Sequence, residues 1–142
     1  MSSQPTTFKI LLTGLRTNAP IPDYFRTLYG QPSEISAKIA ADAQRLKEAG
    51  HDVCEYFLDE NDLATGLEWL TTKLRDKRFD GIMIGSGLRL IPEMTSIFEK
   101  VVNVVVNEGR GSVLMFNDGP GGNWDAVQRS REKLEEVRTG KA

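Results

Sequence analysis

Two glycine-rich stretches, Gly85-Ser86-Gly87 and Gly119-Pro120-Gly121-Gly122, carry most of the chemistry this sequence offers. Each follows an apolar run of strand length and precedes a stretch of helical periodicity. Free backbone N–H groups and the helix dipole gather at such junctions and attract carboxylates and phosphates. Arg89, with Arg16 as companion, adds a planar, permanently charged fork suited to an anion. Thr13, Ser86 and Asn117 add neutral hydrogen-bonding groups, and Trp124 an aromatic plane able to close over a ligand or to pack at a helix start. With Gly85 and Gly87 these form the expected ligand-binding set. The plain alternatives are that both glycine stretches are turns needing positive φ, and that Arg89 pairs with Glu93 four positions on.

Candidates for proton transfer are few. Asp23, Asp118 and Glu93 are the possible acids or bases, with Tyr24 as a proton donor. His51 is the single histidine; it follows Gly50 at the amino end of a strand and is expected to be a solvated surface residue. A Ser-His-Asp or Cys-His site at the glycine loops therefore has no histidine to use. Cys54 falls mid-strand and reads as core. No His/Cys cluster suggests a metal, no cofactor is expected, and neither GxGxxG nor a P-loop lysine is present. The acidic turn Asp59–Asp62 reads as a cap for the helix after it, and a receiver domain would need an aspartate where Gly85 stands.

These residues require a scaffold of alternating strands and helices. Strands are expected at 8–13, 51–58, 82–84 and 112–116, the second less buried because Glu55 interrupts it. Helices are expected at 33–49, capped by Ser33 and Gly50, at 63–77, at 92–107 opened by Pro92 and Glu93, and at 123–138. The cleanest amphipathic stripe is Leu63, Leu67, Leu70 and Leu74. Residues 14–31 form a long excursion with room for a helical turn at 24–28, as in a lid or binding loop. Four βα units imply an α/β three-layer sandwich: a four-stranded parallel sheet in the order 2-1-3-4 with helices on both faces, Rossmann-like or flavodoxin-like. Ligands of such sheets sit at the carboxyl ends of the strands, where the order reverses. The loops there hold Thr13, Arg16, Asn18, Asp23, Tyr24, Asp59, Glu60, Asn61, Ser86, Arg89, Asn117, Asp118 and Asn123.

The 142 residues, 39% apolar and 27% charged with a formal net charge of −2, suit one domain spanning 1–142, with residues 1–7 and 139–142 flexible. That balance gives no reason to expect nucleic acid, and no run is long enough for a membrane span. One cysteine and a polar N-terminus fit a cytoplasmic protein. In the helix at 92–107, Met94, Ile97, Phe98, Val101, Val102, Val104, Val105 and Val106 spread over about twice the arc of roughly 100° that one buried face needs, which predicts a homodimer through that helix.

The run FDGIMIGSGLRLIPEMTSIFEKVVNVV, followed by a strand ending Phe116-Asn117, resembles a set of short microbial α/β proteins that share the pattern IGxGxRxxPE…FExVVNxV. The likeness covers residues 79–117 and implies an α/β fold and weight on Gly85, Gly87, Arg89, Pro92 and Glu93. It implies no reaction. The residues favour a small-molecule site for an anionic or polar ligand at the strand ends, as in a lyase, isomerase or hydrolase. Two other readings stand beside it: a non-catalytic dimeric interaction or regulatory module, and a flavin or nucleotide carrier.

Overall fold

The computed structural model describes residues 6–140. The chain runs β1 (Lys9–Leu15), α1 (Asp23–Tyr29), α2 (Pro32–Glu48), β2 (Asp52–Leu58), α3 (Leu63–Asp76), β3 (Gly81–Ile84), α4 (Ser86–Arg89), a 3-10 turn (Pro92–Met94), α5 (Thr95–Glu108), β4 (Val113–Phe116), α6 (Asn123–Arg129) and α7 (Arg131–Thr139). The four strands form one sheet in the order β2-β1-β3-β4 with every pair parallel, as the alternating pattern predicts. Thr13 pairs with Ile84, so β1 and β3 end side by side at the reversal of strand order.

Burial explains the order. β3 is buried along its whole length, and Ile10, Leu11 and Leu12 of β1 are at most 2% exposed, so these strands take the centre. β2 is half-buried along most of its length, as Glu55 suggests. Alternation divides the central side chains between two cores. Leu11, Ile82 and Ile84 pack under α3 and α5 with Leu70, Leu74, Val101 and Val105. Ile10, Leu12 and Met83 pack under α2, α6 and α7 with Leu46, Val127 and Leu134.

Several boundaries differ from expectation. The second helix starts at Pro32 rather than Ser33, because Gln31 and Glu34 form a capping box in which the Gln31 N–H reaches Glu34 Oε1 at 3.0 Å. The stretch 85–91, expected as loop, contains the single turn α4, and Pro92 opens a 3-10 turn rather than the α-helix itself. The last helix breaks at Ser130, whose N–H is shared between the Ala126 and Val127 carbonyls at 3.1 Å each. Of the expected flexible ends, residues 1–5 and 141–142 lie outside the described residues, while Thr139 closes α7 with its hydroxyl on the Glu135 carbonyl at 2.8 Å.

His51 is also a correction: it is buried, not solvated, at 4% exposure. Its Nδ1 accepts the Phe8 N–H at 3.0 Å and its ring stacks on Phe8. The apolar arc of α5 is largely covered within the chain, since α3 lies along it and Phe98 meets Phe116. Val106, 61% exposed, is its one large apolar residue in the open among the described residues. No helix among them is long and apolar enough to cross a membrane.

Candidate functional site

A crevice of about 80 Å³ opens to solvent at the carboxyl ends of β1 and β3. Its floor is Thr13-Gly14 and Gly85-Ser86-Gly87, and its walls include Phe25 and Tyr29 of α1, Ile35 and Ile39 of α2, Phe57 of β2, and Ile91. The long segment after β1 supplies the cover: α1 lies across the strand ends, with Phe25 buried and stacked against Tyr29. The Tyr29 hydroxyl then donates to the Asp118 carbonyl at 3.2 Å, which fastens α1 to the loop after β4. Gly119 makes that possible, because a Cβ there would stand 3.1 Å from the Tyr29 ring. None of Gly85, Gly87, Gly119, Gly121 and Gly122 has a positive φ. The strand ends also run close together: a Cβ on Gly14 would sit 3.4 Å from the Gly85 backbone.

Three buried polar residues arrange the floor. Asn117 Oδ1 accepts the Ser86 N–H at 2.9 Å, and Asn117 Nδ2 donates to Asn123 Oδ1 at 2.6 Å. Thr13, 2% exposed, has a buried hydroxyl with no hydrogen-bond partner among the described residues. Behind the floor, Asp42 of α2 accepts the N–H groups of both Asn123 and Trp124. Burial raises the pKa of Asp42, an effect those two N–H groups oppose. The Trp124 ring is covered by the Arg45 guanidinium, 4.0 Å from its centroid.

The expected ligand set is thus divided. Thr13, Arg16, Gly85, Ser86, Gly87 and Asn117 line the crevice; Arg89 and Trp124 do not, nor do Asp23, Tyr24 and Asp118. Arg89 donates to the Asn117 carbonyl at 2.8 Å and lies over the Phe116 ring, forming no ion pair with Glu93 among the described residues. Tyr24 is 51% exposed on the outer side of α1, and Asp23 and Asp118 are also exposed. Arg16 reaches the crevice wall, but its fork is occupied: Nε and Nη2 grip the two Glu60 oxygens at 2.6 Å each, and Asn18 takes Nη1 at 3.2 Å. This pairing raises the pKa of Arg16 and lowers that of Glu60.

No known family model matches the chain, and no curated protein and no solved structure is significantly similar to it. The site therefore stands on its own geometry.

The glycine loops offer fewer donors than their composition suggests. Ser86 N–H goes to Asn117, Gly122 N–H to the Gly119 carbonyl, and the first N–H groups of α6 to Asp42. Sequence reasoning missed Asp42 and Tyr29, and left Asn123 as one polar loop residue among many. Asp42 had a signal: it lies three residues after Ile39 and seven after Ile35, a carboxylate on the apolar face of its helix. Tyr29 lies four residues after buried Phe25. No group of three metal-ligating side chains occurs among the described residues.

Proposed function

We propose that this protein binds a small, uncharged, mostly apolar molecule beneath α1, and that it works as a binding protein rather than a catalyst. The Thr13 hydroxyl carries the reading: Thr13 belongs to the crevice floor, and its buried hydroxyl has no partner among the described residues. Such a group costs about 1–3 kcal/mol, which a ligand that opens the floor and reaches the hydroxyl would relieve. Aliphatic and aromatic walls around a few fixed polar groups suit a small-molecule pocket. Among the lining residues only Arg16 is charged, and Glu60 already neutralises it. That favours an uncharged ligand over the anion first expected. Catalysis has less support, because Asp23, Tyr24 and Asp118 stand outside the lining. Self-association through α5 would rest mainly on Val106, and a reducing, aqueous compartment suits the half-buried Cys54.

Ile39 is a half-buried wall residue, so Ile39→Trp should fill the crevice from the side. Saturation-transfer NMR with small neutral fragments should give contacts in the natural chain that vanish in the variant. Equal signals from both proteins, or none from either, would sink the proposal.

A further inference from the structure

A crevice of about 80 Å³ is small beside the roughly 300–1,000 Å³ of pockets that enclose drug-sized ligands. Most of its walls are fixed. The strand ends are held in register, and α2 is held by Asp42 on the α6 backbone and by buried Leu46. The wall that α1 supplies is different. Alone among the described helices and strands, α1 runs closely alongside no other. Its one fully buried side chain is Phe25, while Tyr24 and Leu28 stand in solvent. Within residues 20–30, the Tyr29 hydroxyl makes the one hydrogen bond that reaches another part of the described chain, at the Asp118 carbonyl. Arg26 turns its guanidinium inward, to the carbonyls of Ala19 at 3.0 Å and Gly30 at 3.3 Å. That fork ties the two ends of the segment together, so it holds its shape apart from the rest.

We infer that residues 19–30 form a lid, latched by the Tyr29 hydroxyl on the Asp118 carbonyl, which swings out to admit a molecule larger than the resting crevice. This rests on the small-molecule reading above and adds how the site opens. Both bases of the lid are anchored. Arg16 donates its N–H to the Leu58 carbonyl and its fork to Glu60, and Gln31 is closed in the capping box with Glu34. The hinges fall just inside them, at exposed Asn18 and at Gly30. Gly30 has φ +96°, a region open to glycine and strained for other residues, and glycine absorbs a change of chain direction most freely. Opening breaks one latch bond and bares Phe25, while the helix and the Arg26 fork stay intact. That disturbs far less than unfolding the sheet does, so the open form is a minor state of the folded chain.

Isoleucine methyl groups report the motion in the full chain with no ligand added. Ile21 belongs to the lid, Ile35, Ile39 and Ile91 line the crevice it covers, and Ile10 and Ile82 lie in the two cores. Relaxation dispersion should show one shared microsecond-to-millisecond exchange at the first four and flat profiles at the last two. Tyr29→Phe removes only the latch hydroxyl and should raise the open population about three- to tenfold, the value of one hydrogen bond. Gly119→Ala crowds the Tyr29 ring from the other side of the same contact and should raise it without altering α1. Flat profiles at all six positions in all three proteins overturn the lid. Exchange that Ile10 and Ile82 share overturns it too, since the whole fold is then opening. Lid exchange that neither variant changes overturns the latch. A failure of fragments to bind would leave these profiles untouched, so the lid and the small-molecule reading fall separately.

Discussion

Asp42 on α2 closes the N-terminus of α6: its Oδ2 accepts the Asn123 N–H at 2.5 Å, and the Trp124 N–H lies within 3.2 Å of both carboxylate oxygens. A residue of another helix, 81 positions earlier, thus does what a local N-cap normally does. It also fixes the backbone on which the Asn117–Asn123 pair depends. Asp42→Ala strands these two N–H groups at a buried helix end. The expected loss is about 1–3 kcal/mol, read as a lower urea midpoint. Asp42→Asn keeps one accepting oxygen and should lose clearly less. Equal losses would deny the cap its role.

His51 makes a pH prediction. Burial lowers its pKa first, and the nearby Arg131 guanidinium, which donates to the Thr6 carbonyl, lowers it further. Because Nδ1 already accepts the Phe8 N–H, a proton added there would face another donor. The folded state therefore disfavours the charged ring. The stability His51 contributes is complete above the unfolded value of about 6.5 and is lost as pH falls from there through the folded value. Asp42 runs the other way: its raised pKa gives a contribution present below the ordinary carboxylate value and lost as pH rises. The urea midpoint should fall between about pH 7 and pH 5, and His51→Gln should flatten that slope. An unchanged slope in the variant would assign the effect elsewhere.

The sheet was legible because its order follows from apolar runs alone: β1 carries Ile10-Leu11-Leu12 and β3 Ile82-Met83-Ile84, while β2 carries Glu55. The site was only half legible. Thr13, Ser86 and Asn117 could be named because strand ends and glycine turns mark the right loops. The pairing of Arg16 is not legible because its partner, Glu60, comes from a loop 44 residues away. Tyr29 is not legible because a seven-residue helix is too short for its buried face to be phased from sequence. α4 was missed for a similar reason: Ser86–Arg89 includes a glycine, and its first N–H is held by Asn117, 31 positions on.

Gly81 sets the spacing between β3 and the layer above it. A Cβ there would run into the Met115 Cε methyl and come within 2.7 Å of Leu134 Cδ2. Both are ends of flexible side chains, so the core can shift but not freely. Gly81→Ala should cost about 1–3 kcal/mol of overpacking, seen as a lower thermal midpoint. The double variant Gly81→Ala/Leu134→Ala should show coupling, because one substitution makes room for the other. Simple additivity would show that the two do not share that space.

Arg16 and Glu60 decide the charge the crevice tolerates. Glu60→Ala frees a bidentate fork on the crevice wall. The variant should gain affinity for cyclopentanecarboxylate that the natural chain lacks, and added salt should weaken that gain. If the natural chain binds the carboxylate as well as the variant does, Glu60 is not what excludes anions.

Thr13→Val gives the sharpest separation of stability from binding. Valine matches threonine in shape, and the β-branched side chain is at home in β1. The substitution exchanges a buried hydroxyl, unpartnered among the described residues, for a methyl group on the floor of a crevice whose lining includes Leu15, Phe25 and Ile91. An unsatisfied buried hydroxyl costs about 1–3 kcal/mol, so the free protein should become more stable by an amount in that range. Most core substitutions destabilise, and a gain here would mark a residue kept at a cost to stability. The same variant should weaken small neutral probes that can hydrogen-bond to the hydroxyl while leaving hydrocarbon probes alone. Urea denaturation without ligand, followed by titration of both variants with cyclopentanone, reads the two effects separately. If Thr13→Val destabilises the free chain instead, the hydroxyl is satisfied in solution, and the crevice loses the observation on which its function was proposed.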